Sequence, residues 1–175
     1  MTERYCMTRP SPVGELTLLC EADALTGLWI APQLAHADPA LYTARHCPQH
    51  PVLRAASDWL DRYFAGQRPA PGELPLRPAG SAFRQQVWAL LCAIPYGRVT
   101  TYGAIAEELA LRSGKPCVAA QAVGGAVKHN PIAIIQPCHR VVAAHGQPGG
   151  YGGGLDLKAA LLRVEGIDLW ALEES

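Results

Sequence analysis

Residues 132–142 read Ile-Ala-Ile-Ile-Gln-Pro-Cys-His-Arg-Val-Val, two β-branched stretches with Pro137 between them. β-Branched residues suit a buried strand, whereas proline donates no ladder hydrogen bond and belongs at an edge or a break. The run therefore predicts a buried strand interrupted at its middle, with the Cys138 thiol and the His139 imidazole exposed by the interruption. A thiol reacts as the thiolate, so a neighbouring base or cation decides whether it is a nucleophile or only a small buried hydrophobe. The tripeptide alone leaves both open.

The rest of the chain sorts around a Pro-rich connector, residues 68–80, which predicts a boundary near residue 79 and domains 1–79 and 80–175. Before it, Val13–Ile30 alternates in short runs after a Ser11-Pro12-Val13-Gly14 turn, predicting a small antiparallel sheet. Residues 31–51 read as loop. Over 52–64, Leu53, Ala56, Trp59, Leu60 and Tyr63 recur at helical spacing, so a helix should cover the sheet. After the connector, Ser81 caps a helix ended by Pro95-Tyr96-Gly97, and Thr100 or Thr101 caps another from Tyr102 to about Leu111. A Ser113-Gly114-Lys115-Pro116 turn leads to a third, Val118 to Lys128, rich in Ala and Gly. Two short helices joined by a Gly-containing turn are a helix-turn-helix candidate. Asp156 is placed as the cap of a last helix that ends at Glu165-Gly166. The class is α+β: a small antiparallel sheet with a covering helix, then a mostly helical domain with a helix-turn-helix and an active-site strand and turn.

The formal net charge is zero, so no global field draws the chain to nucleic acid or membrane. Locally, Arg112, Lys115, Lys128, Arg140, Lys158 and Arg163 face a single acid, Asp156, between Leu109 and Arg163. That excess reads as a solvated basic face or a phosphate-binding one. The six cysteines, at 6, 20, 47, 92, 117 and 138, contain no Cys-x-x-Cys pair, against a disulfide framework or a Cys-rich structural metal site. No apolar stretch approaches the roughly 18–20 residues of a membrane span, and no signal-peptide pattern opens the chain, so a reducing cytoplasm is the expected setting.

Taken together, Phe83, Val87-Trp88, Ile94-Pro95-Tyr96-Gly97, Thr101-Tyr102, Ala122-Val123-Gly124, Asn130-Pro131, Pro137-Cys138-His139-Arg140-Val141, Tyr151, Gly153-Gly154, Lys158, Leu161-Leu162 and Glu165 resemble the O6-alkylguanine-DNA alkyltransferase family. The resemblance covers about residues 80–166. The N-terminal part is similar only in outline, through its Ser-Pro-Val-Gly opening and sheet-plus-helix pattern.

What the resemblance implies is a protein that moves an alkyl group from O6 of guanine in DNA onto Cys138, once and irreversibly. His139 would be the general base, acting through an ordered water, Glu165 would hold its tautomer, and Asn130 would brace the turns that carry the cysteine. Tyr102 would donate a hydrogen bond to the departing base, and the backbone around Val141, Tyr151 and Gly152 would line the base pocket. The nucleotide must leave the stack to be reached. The helix pair would enter the minor groove of double-stranded DNA, with Ala119, Ala122 and Gly125 permitting close approach. Arg84, Gly103, Lys115, Lys128 and Arg140 complete the expected DNA-facing set.

Two departures stand out. Gln121 occupies the place where much of the family has an inserted Arg finger, and the link from Tyr102 to it is several residues longer than in the shorter members. Some members bind zinc through N-terminal Cys and His. Cys6 and Cys20 lie in vaguely similar places without matching histidines, so no metal and no cofactor are expected. The chain should act as a monomer. Other classes weighed are a lesion-binding relative without a reactive thiol, a Cys-His hydrolase, and a helix-turn-helix regulator. Cys138 stands against the first, the absence of a reason for a water-accessible acyl site against the second, and the lack of extra N-terminal elements against the third.

Overall fold

The computed structural model describes residues 2–174, which fall into two compact units. The first holds the residues up to Ala79 together with Pro131–Ile135, and the second Gly80–Asn130 with Gln136 onward.

In the first unit, β1 (Arg4–Arg9), β2 (Leu16–Glu21), β3 (Ala24–Ile30) and β4 (Arg45–His46) form one sheet in the order β3-β2-β1-β4. The β1–β2 turn is closed by Gly14 N–H donating to Ser11 O at 3.1 Å, with Gly14 at φ +111°. β1–β2 and β2–β3 are antiparallel, but β4 pairs with β1 in parallel, so the sheet is mixed rather than antiparallel. Neither β1 nor β4 was anticipated. β1 buries only Met7 and β4 nothing, so neither shows the alternation that marks a half-buried strand. α1 (Pro51–Phe64) lays Leu53, Ala56, Trp59, Leu60 and Tyr63 against this sheet and is capped by His50 Nδ1, which accepts from Val52 N–H at 3.2 Å.

The outer edge of β3 is covered by two extended pieces. Leu25 N–H donates to Pro75 O and Arg77 N–H to Leu25 O, both at 2.8 Å, while Leu28 N–H donates to Pro131 O and Ala133 N–H to Leu28 O, both at 2.9 Å. An edge strand left bare would template aggregation, so the Pro-rich connector does more than connect. Beyond Ala133 the chain makes a γ-turn: Ile135 N–H donates to Ala133 O at 2.7 Å around Ile134, whose φ is +69°. A β-branched residue in that region is strained. The expected interrupted strand over 132–142 is buried throughout, the Cys138 and His139 side chains expected at its break included, and it keeps strand pairing only at its ends, at Ile132 beside Leu28 and at Val141–Val142, because local turns satisfy the peptide groups between.

In the second unit, α2 (Ala82–Cys92) is capped by Ser81 Oγ, which accepts from Arg84 N–H at 3.2 Å. β5 (Thr100–Thr101) runs directly into α3 (Tyr102–Ser113), whose cap is Thr101 Oγ1, accepting from Ala104 N–H at 3.0 Å. Gly114, at φ +67°, ends α3, and residues 115–119 lead to α4 (Ala120–Lys128). The three helices share a core in which Val87, Trp88 and Leu91 meet Ile105, Leu109, Val123 and Val127, and Trp88 Nε1 donates to Ala126 O at 2.8 Å. β6 (Val141–Val142) pairs in parallel with β5. α5 (Leu155–Val164) follows, with Gly154 at the cap position, so Asp156 lies inside the first turn instead of capping. There its charge still favours the helix start. No described helix is long and apolar enough to cross a membrane.

Candidate active site

The site is built where the chain turns from Asn130 and Gln136 into β6. Cys138 N–H donates to Gln136 O at 2.8 Å around Pro137 (φ −80°, ψ 68°), a second γ-turn, and Cys138–Arg140 then form one turn of 3-10 helix. Asn130 and Gln136 lock this entry reciprocally: Asn130 Nδ2 donates to Gln136 O at 2.8 Å and Gln136 Nε2 to Asn130 Oδ1 at 2.7 Å. The β5–β6 pairing sets Thr101 beside Val142, which brings Tyr102, the next residue, into the same core cluster as Cys138.

His139 and Glu165 are fully buried side chains, with His139 Nε2 2.6 Å from Glu165 Oε2. An ionised carboxylate only accepts, so Nε2 carries the hydrogen and Nδ1 the lone pair. Arg140 holds the same carboxylate through Nε to Oε1 at 2.8 Å and Nη2 to Oε2 at 3.2 Å, while its Nη1 donates to Ile94 O at 2.6 Å. Gly97 N–H donates to Oε1 at 2.9 Å, and Tyr96 Oη donates to Val164 O at 3.0 Å under the Arg140 guanidinium. Burial alone would raise Glu165, but the hydrogen bonds of His139 and Arg140, the charge of Arg140 and, once its ring is protonated in acid, that of His139 outweigh it and bring the carboxyl to about 2. Burial, with the Arg140 and Lys158 charges, pushes His139 down against the pull of Glu165, so the ring is a neutral base.

Cys138 is 6% exposed. Burial pushes its thiol up, and hydrogen bonds from Asn130 and Tyr151 and the positive charge of Lys158 oppose that rise. Tyr102 lies against Gly124 of α4 and against Gly149: a Cβ added at Gly149, where φ is +69°, would stand 2.9 Å from the Tyr102 hydroxyl. Lys158 is wholly buried, its ammonium donating to Val141 O at 2.6 Å, Pro148 O at 2.7 Å and Gly150 O at 3.1 Å.

The expected core of the site is thus assembled: Cys138, His139, Glu165, Asn130, Tyr102, Val141 and Tyr151 lie in one unit around one turn, with Gly152 exposed beside them. Of the DNA-facing candidates, Gly103, Lys115, Gln121, Ala122 and Lys128 are exposed and Arg84 is half-buried. Arg140 is not among them. At 6% exposure and bound to Glu165 and Ile94, it cannot reach a phosphate, and the expectation that it contacts DNA is corrected. The basic face shrinks for the same reason, since Lys158 is buried as well and Arg112 pairs with Glu108 at 2.7 Å.

Two features of the site go beyond what the sequence led us to expect, the Tyr151 hydroxyl beside the Cys138 thiol and the Lys158 clamp. Lys158 carried a signal: it sits at the core face of α5, three, four and seven residues before Leu161, Leu162 and Glu165. Cys20 does have a histidine beside it, His50 Nδ1 at 3.5 Å, but that nitrogen caps α1. Among the described residues no three His, Cys, Asp or Glu side chains are grouped to hold a metal ion. A cavity of about 270 Å³ lined by Ile94, Thr100, Ala104 and Glu108 lies on another side of α3 from Tyr102 and does not include Cys138.

Comparison with known proteins accounts for nearly the whole chain. Residues 4–78 match the family model "6-O-methylguanine DNA methyltransferase, ribonuclease-like domain", and residues 82–167 match "6-O-methylguanine DNA methyltransferase, DNA binding domain". The methylated-DNA–protein-cysteine methyltransferase of Haemophilus influenzae is 40% identical over 95% of this chain and 89% of its own length. That of Mycobacterium tuberculosis is 44% identical over 90% of each. Among solved structures, Mycobacterium tuberculosis OGT in complex with DNA is similar with a TM-score of 0.80 at 38% identity, covering 98% of this chain and 99% of that one. The Mycobacterium tuberculosis O6-methylguanine methyltransferase gives 0.76 at 41%, covering 94% and 93%. The chain therefore belongs to the O6-methylguanine DNA methyltransferase family, the methylated-DNA–protein-cysteine methyltransferases that repair O6-alkylguanine directly.

Proposed function

We propose that Cys138 is the cysteine alkylated, by in-line displacement at the carbon attached to guanine O6. The thiolate sulfur forms the new S–C bond as the C–O6 bond breaks, and the electron pair leaves with O6. The leaving guanine takes up one proton, matching the one that the thiol gives up to His139, so thiol and O6-alkylguanine become thioether and guanine. A thioether is not hydrolysed, and each molecule acts once. The observation that carries this reading is the buried relay behind the thiol: Arg140 fixes Glu165 as an anion, and Glu165 fixes His139 with Nδ1 as its basic nitrogen. His139 takes the thiol proton through a water, and Tyr102 donates to the departing base. Asn130 braces the cysteine turn, while Val141, Tyr151 and Gly152 line the base. The Val141 carbonyl keeps a second lone pair beside its bond from Lys158.

The DNA is read as duplex entered from the minor groove by α4, with Ala122 allowing close approach and Gln121 filling the place of the extruded nucleotide. Lys115, Lys128 and Arg84 hold phosphates, with Gly103 at the start of α3 beside the strand, so binding weakens as salt rises. Supporting this are the DNA binding domain named by the family model over residues 82–167 and the relative crystallised in complex with DNA. The relay and the α4 surface lie in one unit of one chain, in keeping with a protein that acts as a monomer.

Incubation with an oligonucleotide bearing O6-methylguanine is expected to add one methyl group to the intact mass, mapped by peptide sequencing to Cys138. A methyl on Cys117 or Cys92 overturns the assignment. Gln121→Ala is expected to slow transfer from duplex roughly tenfold while leaving transfer from free alkylguanine unchanged, because only the duplex has a vacated space to fill. Equal slowing of both would remove Gln121 from extrusion.

A further inference from the structure

We propose that Lys158 is a positioning residue for alkyl transfer: its ammonium fastens the Pro148–Gly150 loop to the strand leaving Cys138 and sets a positive charge against the thiolate.

An ammonium has three hydrogens, and here all three go to carbonyls, one on β6 and two on the loop. The loop held this way is the one whose Gly149 abuts the Tyr102 hydroxyl, so the clamp sets where the donor to the departing base stands. Neutral acceptors leave the charge of Lys158 uncancelled, unlike that of Arg140, which Glu165 neutralises. Burying such a charge is costly, and an apolar side chain would pack α5 at less cost.

The titratable groups coupled to Lys158 are Cys138 and His139, both on the turn packed against α5. Residues 148–150 and β6 carry none, and on α5 itself Asp156 and Arg163 are exposed. Burial brings the lysine down to about 8 and Cys138 pulls it up, while Lys158 in turn lowers the thiol. The two form a mutually stabilising pair when one is ammonium and the other thiolate.

This inference rests on Cys138 as the acceptor, and the test separates the two. Full-length Lys158→Met is expected to transfer methyl to Cys138 roughly a hundredfold more slowly, from duplex and from free alkylguanine alike. The pH profile of Cys138 carboxamidomethylation by iodoacetamide, read by peptide mass with exposed Cys117 as internal reference, is expected to move up by about one pH unit. A folded variant with the wild-type profile at Cys138 overturns the proposal. Should Lys158→Met fail to fold, the wild-type protein gives the answer, because the chain has only three lysines, Lys115, Lys128 and Lys158. With 13Cε-labelled lysine, the Lys158 signal is expected to titrate near 8 and to shift to lower pH once Cys138 is methylated, since the thioether can no longer become an anion. A titration unmoved by methylation overturns the proposal. Methyl found on another cysteine strikes the assignment of Cys138 instead.

Discussion

Cys138→Ala is expected to leave no methyl transfer at all while duplex binding persists. The intact mass after incubation with methylated oligonucleotide should be unchanged, and the gel shift with the same duplex should survive. The variant loses only a small buried group, costing about 1 kcal/mol, so the fold remains to bind DNA. No other thiol should substitute. Burial pushes Cys20 and Cys92 up to about 11, the first eased only by a backbone hydrogen bond and the second only by the charge of Arg140. Cys138 is buried too, but two side-chain hydrogen bonds and a buried ammonium act on it. Cys117 is exposed on the segment joining α3 to α4, away from the His139 relay. Methyl appearing on the Ala variant at any cysteine would show that the relay does not define the acceptor.

Glu165→Gln carries the second large effect, on both rate and stability. The carboxylate accepts from Arg140, Gly97 and His139, and an amide cannot replace it without turning its NH₂ toward one of these donors. His139 then loses the partner that fixes its tautomer, and transfer is expected to fall by roughly 10²- to 10⁴-fold. Arg140 becomes a buried cation without its anion, which should cost about 3–5 kcal/mol at pH 7. The pH dependence has a definite sign. Glu165 falls from its ordinary 4.5 to about 2 in the fold, so its contribution of roughly 3 kcal/mol is present above 4.5 and is lost as pH drops toward 2. His139, held neutral, adds to the acid loss, because the unfolded ring takes a proton below 6.5 and the folded ring resists it. Urea midpoints at pH 7, 4.5 and 2.5 should therefore show wild type and Glu165→Gln converging as the solution becomes more acidic. Curves that stay parallel would mean that Glu165 is not the anion holding this corner.

Much of this was legible beforehand, for identifiable reasons. α1 and its buried stripe, the Ser81 and Thr101 caps and the closing Gly114 follow from local rules, because a cap or an apolar stripe acts within a turn or two of itself. β1 and β4 were not legible, since a strand that buries one residue or none is stabilised by its neighbours across the sheet and not by its own composition. The stretch 132–142 shows the division most sharply. Its burial was readable from its apolar residues, but its path was not: γ-turns at Ile134 and Pro137 send Pro131–Ile135 to the edge of β3 and Cys138–Arg140 into the second unit.

By itself the sequence determined which atoms are available for chemistry: a thiol followed by an imidazole, a glutamate 26 residues beyond the imidazole, and a helix pair bare enough to approach a groove. What tertiary structure alone decided is the employment of the charges. Arg140 looks in the sequence like Lys115 and Lys128, and Lys158 differs from them only by its place on the apolar face of α5, yet the fold turns Arg140 and Lys158 inward, one to pair with Glu165 and one to clamp three carbonyls, and leaves Lys115 and Lys128 in solvent. The reason is physical: a cation is hydrated wherever it can be, and only long-range packing that removes the water and supplies acceptors converts it into part of a site.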